Sequence, residues 1–265
     1  FVSSIRAWPA YQDLRRDGTP PHASFALLLL GILPQEKEGR LPEAAAQYKK
    51  TATDFVNEPG GRLAAESLRV LERIELDLTS PRVFLSQEPP TVKLTTRNIK
   101  SLTVKVHPID LAAYFKAKRQ TEGFEQLDTT LIRPAAQWTY EVPQFVAYKR
   151  TTADVAIRAG EPTEGREALL LAPGTYLVTV DDGMRRSMVG VIVSDLKLIT
   201  KTSARQAFVF AIDARTKAPA EGVTILVADD TAIVATGKTA ADGVFIHEFE
   251  TSVTTRRVMA VRDGH

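Results

Sequence analysis

Hydrophobic residues recur along this chain with two different periods, and the change falls near Thr79-Ser80-Pro81. Before it the spacing is helical. Residues 24–30 are apolar all round, as in a sequestered helix, with Pro20-Pro21 ahead and Pro34 behind. Residues 41–55 place Leu41, Ala44, Ala45, Tyr48, Ala52 and Phe55 three and four apart, with Pro42 in the tolerant first turn. Residues 57–61 (Asn-Glu-Pro-Gly-Gly) read as a breaker. Residues 63–78 resume the helical period through Ala64, Leu68, Leu71, Ile74, Leu76 and Leu78.

Beyond Pro81 apolar residues alternate in steps of two, with many β-branched side chains, which predicts strands. They fall at 83–85, 92–96, 102–106, 137–142, 154–157, 168–170, 176–180 and 187–193, interrupted by a helical phrase at 110–118. Asp182-Gly183 is a hairpin signal. After Ser194-Asp195 the pattern restarts, with strands expected at 196–199, 207–212, 223–227, 233–236, 244–246 and 257–261. Short strands with Pro- and Gly-bearing turns predict a mainly β fold, with two antiparallel β-sandwich domains after an N-terminal α-helical segment. The expected domains are 1–79 (helical), 80–195 (first sandwich, with a long insertion near 108–133) and 196–265 (second sandwich). A Greek-key sandwich wants about seven strands, so the second reads as truncated. Phe1 in place of Met, and an end just after Asp263-Gly264, give the expectation of a piece of a larger modular protein.

Composition narrows the chemistry. With 44% hydrophobic and 25% charged residues, the 265-residue chain is ordinary globular protein. The net charge of +2 is spread without a like-charge run, so nucleic acid is not an expected partner. There is no cysteine, which excludes thiolate nucleophiles, Cys-ligated zinc, iron–sulfur clusters and disulfides. The longest apolar run, 25–33, is shorter than the roughly 20 residues a membrane span needs. His22, His107, His247 and His265 lack metal-ligand spacing. Asp181-Asp182 and Asp229-Asp230 read as turns, without the alternating oxygens of a calcium loop. Gly60-Gly61 has no phosphate-loop lysine, and Ser187 and Ser203 sit in no nucleophile elbow. Arg185-Arg186 and Arg256-Arg257 read as charges that guard strand edges. The expectation is therefore no enzyme, no catalytic residue, no metal and no cofactor. For a partner site the candidates are the aromatics of the insertion, Tyr114, Phe115 and Phe124; the alternative is that they cap the open end of the first sandwich.

Two phrases characterise the β region. Residues 171–180 read L-x-P-G-x-Y-x-V-x-V: a turn, then a tyrosine whose hydroxyl can reach back to the backbone, as at sandwich corners. Residues 213–225 and 236–245 read as a T-x-x-P-x-x-G-V turn and a G-x-T-x-x-D-G-x-F turn, where Asp242-Gly243 supplies a positive φ. With the linker at 193–203 and the stretch 124–134, these resemble the macroglobulin-type domains of bacterial α2-macroglobulin-like proteins over residues 80–265. Lys217 departs from the pattern, standing where such turns usually have glycine. The helical phrases around Tyr48, Asp54-Phe55, Ala64-Ala65 and Leu68 resemble one tetratricopeptide-like helix pair, a plain helical hairpin being the alternative. The resemblance implies a structural part of a broad-spectrum endopeptidase inhibitor that cages proteases. It also implies neighbouring macroglobulin domains as partners and a periplasmic, cell-envelope or extracellular location. The G-C-x-E-Q thioester phrase of that family is absent, so no reactive residue carries over. The competing expectation is spacer or binding modules of a surface adhesin or scaffold.

Overall fold

A computed structural model describes residues 28, 40–80, 83–129, 132–158, 170–250, 252 and 256–262. The apolar phrase at 24–30, except Leu28, and the strand expected at 168–170, except its last residue, lie outside these, as do His22 and His265. The chain divides into two compact units. One comprises Phe1–Leu76, Thr95–Ser101 and Glu141–Thr152; the other comprises Asp77–Leu94, Leu102–Tyr140 and Ala153–His265.

In the first unit, helices α1 (Leu41–Asp54) and α2 (Pro59–Glu72) form a hairpin. Their apolar stripes meet in a core of Leu28, Ala44, Ala45, Tyr48, Ala64 and Leu71. The expected breaker at 57–61 is corrected here: Pro59 opens α2, and Gly60 and Gly61 are buried inside it. Proline is tolerated in a first turn because its missing N–H has no partner there anyway. Gly61 packs so closely against the turn that follows α1 that a Cβ would lie 1.9 Å from the Phe55 carbonyl oxygen. The Asn98 side chain closes the far end. Its Nδ2 donates to the carbonyls of Leu71 and Arg73 at 2.7 and 3.1 Å, and its Oδ1 accepts from the Tyr148 N–H at 2.6 Å.

The helical period expected through 78 also breaks early. Glu75–Thr79 is strand β1, within the segment assigned to helix. Ile74, Leu76 and Leu78 fit a period of two as well as a helical stripe, and strand pairing decides between them. The strands that follow are β2 (Thr91–Arg97), β3 (Ser101–Ile109), β4 (Ala136–Glu141), β5 (Arg150–Ala156), β6 (Gly174–Asp181), β7 (Arg186–Val193), β8 (Leu196–Thr202), β9 (Gln206–Asp213), β10 (Thr224–Ala228), β11 (Ile233–Lys238), β12 (Val244–Glu248) and β13 (Arg257–Val261). Helix α3 (Leu111–Lys118) lies between β3 and β4. The strand expected at 83–85 is reduced to one parallel bridge, Phe84 to Val193. Pro89-Pro90, close behind it, cannot donate to a ladder.

The described chain is mainly β. The sheet orders are β1-β2-β5, β4-β3-β6-β7, β12-β9-β8 and β11-β10-β13. The last two share one core of Ala207, Val209, Ala211, Val223, Ile225, Val227 and Phe245, among others. On β10, Ile225 and Val227 face that core, whereas Leu226 and Ala228 point the other way and are also buried. A strand covered on both faces reads as a continuous apolar run, which explains Ile225-Leu226-Val227-Ala228. The Asp242-Gly243 turn forms as its sequence predicts, with Gly243 at φ 76° and a Cβ there 2.6 Å from the Ala211 carbonyl oxygen.

Lys217 occupies the left-handed region at φ 64°. Its Nζ donates to the Ala214 carbonyl at 2.5 Å, which holds a turn that glycine would adopt without strain. Lys217→Gly is expected to leave the urea midpoint unchanged or raise it, while the β-branched Lys217→Val costs about 1–2 kcal/mol.

Candidate functional site

The insertion between β3 and β4 holds all three aromatic candidates, and the local sequence fixes its shape. The Asp110 carboxylate caps α3, accepting from the Ala113 N–H at 2.8 Å. Arg119, at φ 59°, ends the helix, and its N–H returns to the Phe115 carbonyl. The Tyr114 hydroxyl donates to the Glu122 carbonyl at 3.0 Å, and its ring meets Phe124 edge-on with centroids 6.4 Å apart.

The three aromatics go to different places. Phe115 is fully buried against Leu226 and Ala228 of β10 and Met259 of β13. Phe124 is buried over β7, where a Cβ on Gly190 would lie 2.2 Å from its ring. Tyr114 is half-buried and alone keeps surface. The insertion thus covers the outer faces of two sheets, that of β11-β10-β13 through Phe115 and that of β4-β3-β6-β7 through Phe124. Gly190 is the residue that sequence reasoning missed. Its place in an apolar strand phrase, Met188-Val189-Gly190-Val191, was the available signal for close approach.

His107 lies under the same cover. It is on β3 opposite Leu177, which is itself opposite Gly190, so the three form one cross-strand row. The imidazole is buried, with Nδ1 lacking a partner. Burial, then the nearby Lys105 and Arg186 cations, hold its pKa below the ordinary 6.5. The unfolded chain therefore takes up this proton first as pH falls. The stability His107 confers is complete above about pH 6.5 and declines below it. The drop in urea midpoint from pH 7.5 to 5.5 is expected to be smaller in His107→Gln than in the unsubstituted chain; an equal drop would remove His107 as a cause.

The turn between β7 and β8 is a second polar centre. Asp195 accepts from the Ser86 N–H at 3.0 Å and the Ser86 hydroxyl at 2.5 Å, and it pairs with Arg215 at 3.6 Å. Burial pushes its pKa up, but Ser86 and Arg215 outweigh this and leave it lowered. The Asp195 carbonyl also accepts from the Ala214 N–H at 2.6 Å. Asp213 caps the next turn through the Thr216 and Arg215 N–H groups and pairs with Arg262 at 3.0 Å, which brings its pKa to about 2. A cleft of about 460 Å³ opens beside this linker, lined by Pro108, Leu111, Tyr176, Asp195, Met259 and Arg262 among others. The Tyr176 hydroxyl donates to the Ala172 carbonyl at 2.8 Å, the corner bond its sequence phrase predicts.

The paired aspartates serve turns. Asp181 and Asp182 accept from the N–H groups of Gly183, Met184 and Arg185, and Asp229 accepts from those of Thr231 and Ala232. The His247 ring lies parallel to Phe245 with centroids 6.4 Å apart and meets Phe249 edge-on at 4.7 Å. Among the described residues no group of three or more His, Asp or Glu side chains could hold a metal ion, and no helix is long and apolar enough to cross a membrane. These carboxylates orient turn backbone, and several also pair with arginines of the chain itself.

No family model matches the chain, and no curated protein matches it. Among solved structures it is similar to native α2-macroglobulin from Escherichia coli spanning domains MG0-NIE-MG1, with a TM-score of 0.51 at 11% identity, over 72% of this chain and 62% of that one. The chain thus spans less than two thirds of that structure. A second structure of the same protein, spanning NIE-MG1, aligns at a TM-score of 0.45 and 11% identity over 73% of this chain and 95% of that one. The first likeness establishes the fold alone: it is macroglobulin-like.

Proposed function

We propose that this chain is a non-catalytic structural part of a bacterial α2-macroglobulin-like protease trap. In this reading residues 80–195 and 196–265 are two macroglobulin-type sandwiches, and the helical segment ahead of them is tetratricopeptide-like. The observation that carries the proposal is the joint between the β halves. One aromatic from the first half seats on β10 and β13 of the second, and Asp195 binds Ser86 on one side and Ala214 and Arg215 on the other. Such a joint suits a stiff wall around a captured protease, because the polar groups are committed to holding the chain and none is poised for reaction. The partners are then proteases, engaged by the full-length protein, and neighbouring macroglobulin domains. Tyr114 is the insertion aromatic left to meet one, and the setting is the periplasm, cell envelope or extracellular space.

Trypsin incubated with the full-length protein tests this. The trap reading expects loss of activity on a large protein substrate with retention on a small chromogenic peptide, and no hydrolysis by the chain itself. Full activity on the large substrate removes the inhibitor reading.

A further inference from the structure

We infer that the outer face of sheet β12-β9-β8 is a docking surface for an amphipathic helix with an acidic flank. The register defines the face. Ala207, Val209 and Ala211 of β9 point into the core, so Phe208 and Phe210 point out. Opposite Phe210 on β8 is Ile199; opposite Phe208 are Lys201 on β8 and Ile246 on β12. Ile199 is 56% exposed and Ile246 55%, among the larger exposures of apolar side chains in the described chain, and the two lie on either side of the phenylalanines. An apolar strip continuous across three strands is unlike the scattered exposure of an ordinary surface.

The same β region shows how such a face is covered. Leu226 and Ala228 of β10 and Met259 of β13 point outward and are buried against Phe115 of α3. β9 has the same continuous apolar run as β10, and its outer face has no such cover among the described residues. Charge selects the occupant. Lys197 and Lys201 project from β8 on this face, and neither has an ion-pair partner among the described residues. Glu248 projects from the opposite edge strand. A helix lying across the sheet with apolar residues down and carboxylates toward β8 satisfies both features, and the lysines set its direction. This inference does not rest on the protease-trap reading.

The test uses the whole chain and a labelled synthetic peptide of about 18 residues, helical, with leucines on one face and glutamates along one flank. Fluorescence anisotropy is expected to show saturable binding. Ile199→Ser/Ile246→Ser should weaken it at least tenfold, and so should Lys197→Glu/Lys201→Glu, with circular dichroism unchanged because all four positions are exposed. A peptide with lysine in place of glutamate should prefer the charge-reversed variant. No saturation at about 100 μM, or equal binding of a scrambled peptide, overturns the inference. A concentration-dependent dimer in sedimentation that Ile199→Ser abolishes also overturns it, assigning the face to a second copy of the chain.

Discussion

Phe115→Ala is expected to cost the folded chain about 3–5 kcal/mol, the range for removing a fully buried aromatic. The effect goes beyond an ordinary core cavity because of where the contacts lie. Phe115 belongs to α3, between β3 and β4, yet it packs on Leu226 and Ala228 of β10 and Met259 of β13. Its loss uncovers the outer face of β10, leaving Leu226 and Ala228 against a void on one side. Urea unfolding followed by far-ultraviolet circular dichroism checks the magnitude, and the transition should also broaden or split as the β halves separate. Phe115→Leu, which keeps most of the apolar volume, should cost much less.

Gly61→Ala carries the second large effect, and its sign is diagnostic. On helix propensity alone, alanine inside α2 should stabilise by about 1 kcal/mol. The fold reverses this, because the added Cβ would sit 1.9 Å from a backbone oxygen, Phe55 O, on an adjoining turn that cannot rotate aside as a side chain can. The helix hairpin must open to admit it. Overpacking of this kind costs about 1–3 kcal/mol and occasionally more, so Gly61→Ala is expected to lower the unfolding midpoint. A rise in stability from Gly61→Ala would mean that the helices are not in close contact at this point.

Much of the architecture is legible along the chain because burial is periodic. Most strands from β2 onward fall where alternation places them, though β5 begins at Arg150, four residues before its expected start, and the Tyr176 corner and Asp242-Gly243 turn form as their phrases imply. The departures arise where another part of the chain overrides a local signal, near in sequence for Gly61, distant for β1 and Phe84. Gly60-Gly61 signals a breaker only if nothing approaches closely enough to require glycine. Residues 74–78 carry both periods at once, and pairing with β2 selects the strand. Phe84 makes one bridge because Val193, far along the chain, is its only ladder partner among the described residues.

The candidate site was readable in part. Tyr114, Phe115 and Phe124 stand out in a long insertion, but nothing local tells an exposed aromatic from one seated on a sheet contributed by later residues. Asp195 was visible only as a boundary. Its work as a tie between Ser86 and Arg215 depends on a side chain more than a hundred positions earlier.

Native-state hydrogen exchange decides whether the two β halves, joined through Phe115 and Asp195, open as one cooperative body. The amides of Val104 and Val178 in β3 and β6 and those of Ile225 and Val227 in β10 should open with free energies equal within about 1 kcal/mol, and Phe115→Ala should separate the two pairs. Exchange of the β10 amides through an opening several kcal/mol below that of β3 and β6 in the unsubstituted chain would mean that the two halves open independently and that the joint does not couple them.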